Sequence, residues 1–378
     1  MNADVLGVGI VGANWGIKGQ LPGWRALPDV EVRAICTSSQ ASAERAAGAH
    51  GIPRAYGSFE DMLADDDVHV INLTISPRLR YPMALAALRR GKHVFNCLPF
   101  TTNLADAKTL LQAQRDARVI GVCDGYFQWV PAFLHMKRLI EDGYIGKLFG
   151  VSVNFHLGLY NQPSSAAFPE KWRAFATNGA SALRNLGSHA LHALVSLFGE
   201  IEETTGQVET FLREWNFDDG VKVRPQSVDT AMALLRFRGG GMGQLNLSWV
   251  VADGSGLSVE AFGSAGRLVL RAPGFPHLDS RLWGAKAGKF NARSEQEIPI
   301  PDDLVLRVAE ARTDADLSGR TTISMVRMYA DMARAIRYGG DGAPSFAQAF
   351  HVQAVVEAIQ ASARSRTWLR ISDIEASV

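Results

Sequence analysis

Val8-Gly9-Ile10-Val11-Gly12-Ala13-Asn14-Trp15-Gly16-Ile17-Lys18 is the stretch on which the reading of this chain turns. A short β-branched run ends in glycine and a helix-forming stretch follows, the order in which a strand passes through a tight turn into a helix. Backbone N–H groups at such a helix N-terminus would meet the pyrophosphate of a dinucleotide. The glycine spacing is degenerate. Counted from Gly12, the second glycine position holds Asn14 and the third holds Ile17, although Asn tolerates positive φ and Gly16 supplies a close approach instead.

Working outward, β-branched runs at Val5 to Val11, Val30 to Cys36, Val68 to Leu73, His93 to Phe95 and Val119 to Cys123 alternate with helical patterns at Asp61 to Ala64, Tyr81 to Arg90 and Leu104 to Arg118. That alternation predicts an α/β fold, a Rossmann-type doubly wound parallel sheet over residues 1–125 with ligands bound beyond the carboxyl ends of its strands. Near residue 150 the pattern changes. Lys147 to Leu157, Val208 to Arg213, Ser227 to Phe237, Gly243 to Trp249, Leu257 to Phe262 and Arg267 to Leu270 read as strands separated by turn signals, which predicts a largely antiparallel sheet. Helical patterns at Ser181 to Phe198, Ile323 to Arg337 and Phe346 to Arg364 make the second domain, 126–378, α+β, with the last helices free to pack back on the first. Gly239-Gly240-Gly241 lies between two strand patterns and reads as a hairpin turn rather than a phosphate loop. Asp65-Asp66-Asp67 reads as a solvated loop without a function.

The chain has 378 residues, 47% hydrophobic and 20% charged, enough to build two cores of about 100 to 200 residues or more. Its 39 Lys and Arg against 38 Asp and Glu leave a formal charge of +1, which offers no footprint for nucleic acid. The three cysteines, Cys36, Cys97 and Cys123, lack CxxC spacing and sit in or beside apolar runs, so neither disulfides nor a metal site is expected. The start has no basic stretch ahead of its apolar run and reads as no signal peptide, and no apolar run reaches the roughly 18 residues of a bilayer span. A cytoplasmic protein without membrane contact is the expectation. The second strand ends Ile35-Cys36-Thr37-Ser38-Ser39, with no carboxylate to bond an adenosine ribose and with Arg45 one helix turn on. Such a pocket admits a 2′-phosphate, so both NAD and NADP remain open as cofactors.

Several further motifs accompany the glycine loop: Ala84-Leu85-Ala86-Ala87-Leu88 leading into Gly91-Lys92-His93-Val94, Gly143-Tyr144-Ile145-Gly146-Lys147, Trp172-Arg173, Gly187-Ser188-His189, Gly263-Ser264-Ala265-Gly266, and Glu357-Ala358-Ile359 with Ser362-Ala363. Together they resemble the glucose-fructose oxidoreductase, inositol dehydrogenase and MocA family along nearly the whole chain. The resemblance implies an NAD(P)-dependent oxidoreductase acting on CH–OH groups, a small-molecule substrate and a homodimer or homotetramer. It implies cofactor contacts at Gly12, Asn14, Trp15, Gly16, Ile17, Thr37, Ser38, Ser39, Thr74, Ile75, Ser76, Arg80, Cys97, Leu98, Gln128 and Trp172.

The chain departs from that family where chemistry is concentrated. Cys97-Leu98-Pro99 replaces the family's Glu-Lys-Pro, so the catalytic lysine position is leucine. The Asp and His of the second-domain helix fall at Asn185 and His189, a later acidic position at His192, a common Arg at Gln128, and a His after the fourth strand at Arg80. These departures, with Trp15-Gly16-Ile17-Lys18, are similar to the branch that includes the fungal galactose-pathway repressor. Leu98 moves no protons, which leaves His189, oriented by the Asn185 amide, as the leading acid/base, with Tyr126 and Lys171 as further candidates and His156 and Tyr160 as rim positions. Three functions stay open: a dehydrogenase of a sugar-like or small cyclic compound, a nonenzymatic cofactor-binding regulator, and redox-neutral chemistry with a transiently reduced cofactor.

Overall fold

A computed structural model describes residues 5–161, 170–288, 295–319 and 321–378. These form two compact units: the first from residues up to Thr101, Ala105–Trp129 and Leu306–Phe350, the second from Thr102–Leu104, Val130–Val305 and His351–Val378.

In the first unit, β1 (Leu6–Val11), β2 (Val30–Cys36), β3 (Arg54–Tyr56), β4 (Val70–Leu73), β5 (His93–Asn96) and β6 (Gly121–Cys123) form one sheet in the order β3-β2-β1-β4-β5-β6, with every pairing parallel. This is the doubly wound sheet the sequence predicts. β1 and β4 are buried along their whole length, as strands covered by helices on both faces must be, so their sequences are apolar runs rather than alternations.

β3 went unpredicted, because its three residues are half-buried and ion pairs hold it in place of an apolar face. Arg54 donates to Asp65 and Asp67, and the Tyr56 hydroxyl donates to Asp65 at 2.9 Å. The acidic tract is therefore not merely a solvated loop: two of its carboxylates fasten the sheet edge, and only Asp66 is left fully exposed.

Late in the chain, helix Thr322–Tyr338 enters the first unit's core. Tyr329 stacks face to face on Trp24 at 3.7 Å between centroids and meets Phe95 edge-on at 5.0 Å, all three rings being fully buried. Trp24 in turn donates its indole N–H to the Asn72 amide oxygen at 3.1 Å.

The second unit is built on β7 (Leu148–His156), β8 (Ile201–Glu209), β11 (Thr230–Phe237), β12 (Met242–Ser248), β13 (Gly256–Gly263), β14 (Gly266–Ala272), β15 (Arg281–Lys286), β16 (Gln296–Ile298) and β17 (Leu369–Arg370), beside a two-stranded ribbon of β9 (Trp215–Asn216) and β10 (Lys222–Val223). The large sheet runs β16-β15-β14-β13-β7-β12-β11-β8-β17 and is antiparallel except where β7 pairs with β12. The triple glycine is the hairpin between β11 and β12, as expected. β8 lies earlier than the expected Val208 to Arg213, because only Ile201 and Thr204 along it are fully buried and its sequence shows no apolar alternation. β11, by contrast, alternates cleanly: Ala231, Ala233, Leu235 and Phe237 face the core, while Met232, Leu234 and Arg236 face outward.

Candidate active site

The strand order of the first unit reverses between β1 and β4, the switch point beyond which open α/β sheets bind their ligands. Thr74 closes that point: its N–H donates to the Val11 carbonyl at 3.0 Å and its hydroxyl to the Val11 and Gly12 carbonyls at 2.7 and 3.1 Å. Gly12 has φ +103°, and a Cβ there would stand 2.5 Å from the Thr74 hydroxyl. A Cβ on Gly16 would stand 2.6 Å from Ile10 and 3.0 Å from the same hydroxyl. Ala13, Asn14 and Trp15 are exposed above this floor, while Gly16 and Ile17 are buried beneath it. The following helical segment starts as a single π turn, Gly16–Gln20, in which the Lys18 N–H already donates to the Asn14 carbonyl at 3.0 Å, leaving the N–H groups ahead of it without an intrahelical acceptor. A glycine floor, free N–H groups and no acidic side chain from 12 to 18 fit a diphosphate.

At the end of β2, Thr37 and Ser39 are turned inward on the chain. Ser39 caps helix Gln40–His50 by accepting from the Ser42 N–H, and the Thr37 hydroxyl bonds the Ser39 carbonyl at 3.1 Å. Ser38 and Arg45 are exposed, and among the described residues Arg45 has no ion pair. Ile75 and Ser76 follow Thr74 at partial exposure, as does Leu98. Arg80 is buried, its guanidinium donating to the Pro99 carbonyl. Tyr126 is buried edge-on to Phe127, and Gln128 accepts from Gln348 at 3.1 Å.

Beneath the loop lies a polar cluster that sequence reasoning missed. Gln20, at the end of the π turn, donates to the Cys97 sulfur at 3.0 Å and to Asp124 Oδ2 at 3.2 Å, and accepts from Asn72 at 2.6 Å. The Cys97 thiol also donates to Asp124 Oδ2 at 3.4 Å. Burial pushes the Asp124 carboxyl up to about 7 against the hydrogen bonds of Cys97 and Gln20, the Trp15 indole and the charge of Arg80. A lone Asp directly after the apolar run of β6 was the available signal.

In the second unit, Asn185 sits on a π turn, Leu183–Gly187, that runs on into helix Ser188–Phe198 carrying His189 and His192. His189 stands edge-on to Phe275 with 6.0 Å between centroids. Burial, and secondarily the Arg173 cation, lowers its pKa to about 3. His192 is fully buried and also lowered to about 3, by burial and then by His189 and His351. The Asn185 oxygen accepts from the Ser181 N–H at 3.3 Å. Lys171 is ion-paired with Asp219 at 2.5 Å and lies over the Phe217 ring. Trp172 accepts from Asn178 through its carbonyl, and its ring lies under the Arg173 guanidinium. Tyr160 is not at a rim: it is buried, stacked on Trp215 at 3.6 Å. The described residues contain no group of three or more side chains able to hold a metal ion, and no helix among them is long and apolar enough to cross a membrane.

The sequence matches two family models: residues 6–124 the oxidoreductase family with an NAD-binding Rossmann fold, and residues 133–269 the GFO/IDH/MocA C-terminal domain. The chain belongs to the GFO/IDH/MocA family of NAD-binding oxidoreductases. An uncharacterized oxidoreductase of Synechocystis is 25% identical over 98% of this chain and 97% of its own. A solved NAD-binding oxidoreductase from Klebsiella pneumoniae is 27% identical with a TM-score of 0.85, covering 97% of this chain and 99% of that one. A levoglucosan dehydrogenase solved with NADH and L-sorbose shares the fold at a TM-score of 0.85 and 21% identity, covering 98% of this chain and 99% of its own.

The buried His192 sets a pH dependence of stability. Its folded pKa lies below the ordinary 6.5, so the unfolded chain takes up a proton that the folded one refuses. The contribution is complete above pH 6.5 and is lost as pH falls toward 3, at about 1.4 kcal/mol per pH unit. Urea unfolding at pH 7.0 to 5.0 should show stability falling on acidification, with a shallower slope by one proton in His192→Asn. Equal slopes for the two proteins would contradict the assignment.

Proposed function

We propose that the chain is an NAD(P)-dependent dehydrogenase that interconverts a CH–OH group and its carbonyl in a sugar-like or small cyclic compound, with His189 moving the proton. The observation that carries this reading is the neutral imidazole of His189, in a chain whose family lysine position holds Leu98. When bound, the nicotinamide supplies the hydride acceptor or donor. The protein then has to receive one proton from the substrate oxygen; His189 offers an unprotonated imidazole for it, a weak base at a pKa of about 3 that must hand the proton on at once. Of the other proton carriers, Lys171 is engaged with Asp219. The likeness to a levoglucosan dehydrogenase solved with a sugar supports the substrate class. Three free, buried cysteines fit a reducing cytoplasm.

A screen of polyols, sugars and anhydrosugars with NAD and NADP, followed by nicotinamide absorbance, tests the reading. Turnover is expected with at least one compound, and His189→Ala should lower kcat by about 100-fold or more with cofactor affinity retained. Cofactor binding without turnover of any compound would replace it with the second reading that Leu98 favours, a cofactor-binding regulator.

The ribose end supports use of NADP as well as NAD. With Ser38 and Arg45 exposed and no acid at the end of β2, a 2′-phosphate meets a cation instead of a carboxylate. Arg45→Ala should weaken NADPH about tenfold and leave NADH unchanged in fluorescence titrations. Equal losses for both would count against it.

We further infer that two copies pair through the outward face of the large sheet. Phe262, Gly150, Met242 and Arg236 form one cross-strand row and Ser152, Gln244 and Leu234 the next, with Met232 beyond. Met232, Leu234, Met242 and Phe262 are 54, 49, 61 and 42% exposed, an apolar patch rimmed by amides. Leu234→Glu should convert the oligomer to monomer in sedimentation, and a wild-type monomer would dispose of the inference.

A further inference from the structure

Three segments of the first unit converge on one buried carboxyl. Asp124 follows β6, and its N–H donates to the Asn96 carbonyl at 2.9 Å, which fixes it beside the end of β5. Cys97 reaches it from that strand end and Gln20 from the π turn of the cofactor loop. The Trp15 indole, from the exposed tip of the same loop, acts on the carboxyl in the same sense as Gln20, favouring its ionised form. The Trp15 ring folds back over Gly19, where a Cβ would come within 2.6 Å of it, so the tip of the loop and its π turn move as one piece.

We propose that Asp124 is a positioning residue for cofactor binding: its ionised carboxylate holds the glycine loop in place through Gln20, with the Trp15 indole favouring the same ionised form, and loses that hold when protonated. The titratable and charged groups facing it are Arg80 from helix Pro77–Arg89, Cys97, Cys123 of β6 and Tyr329 from helix Thr322–Tyr338. Burial raises both thiols and the phenol, which stay neutral through neutral pH. A guanidinium stays protonated. Asp124, pushed up to about 7, is then the member of the cluster that changes charge near neutrality. As a carboxylate it accepts a charge-assisted bond from the Gln20 amide and faces the Arg80 cation, whereas as an acid that bond is about half as strong. The inference concerns binding by the family's NAD-binding domain and does not depend on any substrate.

The test is the dissociation constant of NADH, read by fluorescence titration from pH 6 to pH 8.5. Wild type should bind about fivefold more weakly at pH 6 than at pH 8. Asp124→Asn should bind with a constant that is flat across this range, a result that a purely structural residue would not give. Trp15→Phe alters an exposed side chain and keeps the carboxyl, so it serves if Asp124→Asn fails to fold. It should bind more weakly than wild type at pH 8, with a smaller ratio between pH 8 and pH 6, because the Gln20 bond remains. A flat wild-type profile, one that tightens on acidification, or one retained in both variants would overturn the proposal.

Discussion

Three hydrogen bonds from Thr74 to the carbonyls of Val11 and Gly12 hold together the ends of β1 and β4, where the first sheet changes direction. Much of the cofactor half follows from that tie. The hydroxyl occupies the space a Cβ would need at either position 12 or 16, so both must be glycine, and Gly12 must also take positive φ. With the floor that tight, the chain rises over Ala13, Asn14 and Trp15 and comes down again at Gly16. It re-enters helical geometry through a π turn, a form that recurs at functional sites because its extra residue redirects the side chains that follow. Here the redirected side chain is Gln20, which points into the core rather than along the helix surface.

The parts of the fold readable from sequence are those in which burial alone decides. β1, β4 and β6 show as apolar runs because a parallel sheet is covered on both faces, and β11 shows as an alternation because one of its faces is open. β3 is held by Arg54 and two aspartates, and β8 by pairing on both edges with little apolar burial, so hydrophobic pattern is silent for both. The parallel pairing of β7 with β12 lies beyond any local signal, since strands in one sheet need not neighbour each other in sequence. For the same reason the glycine loop could be found but the cluster under it could not. Gln20 and Asp124 are 104 residues apart, and only the order β1-β4-β5-β6 brings them into contact.

Environment, more than residue type, divides the chemistry of the titratable groups. His189 and His192 belong to the residue type with the most mobile charge near neutrality, yet burial, joined at His189 by the Arg173 cation, holds both neutral. Asp124 belongs to a type ordinarily ionised well below neutral pH, and burial moves it to where histidine normally titrates. Lys171 is already matched by Asp219. A list ordered by ordinary pKa would place Asp124 below the two histidines, the reverse of their order here.

Two departures from the family pattern are physically coupled. By resemblance, position 97 should carry a carboxylate and position 80 an imidazole; this chain has Cys97 and Arg80. A guanidinium buried without an opposing charge costs several kcal/mol, more than the single bond to the Pro99 carbonyl returns. Asn96 and Cys123 are register partners on adjacent parallel strands, so the next residue on each, Cys97 and Asp124, emerges side by side. The carboxyl absent from the end of β5 is thus present at the end of β6, one strand over, within the field of Arg80 and bonded to the thiol that stands in the expected place. Cys97 and Asp124 together keep one buried acid within reach of Arg80 at the carboxyl ends of these two strands.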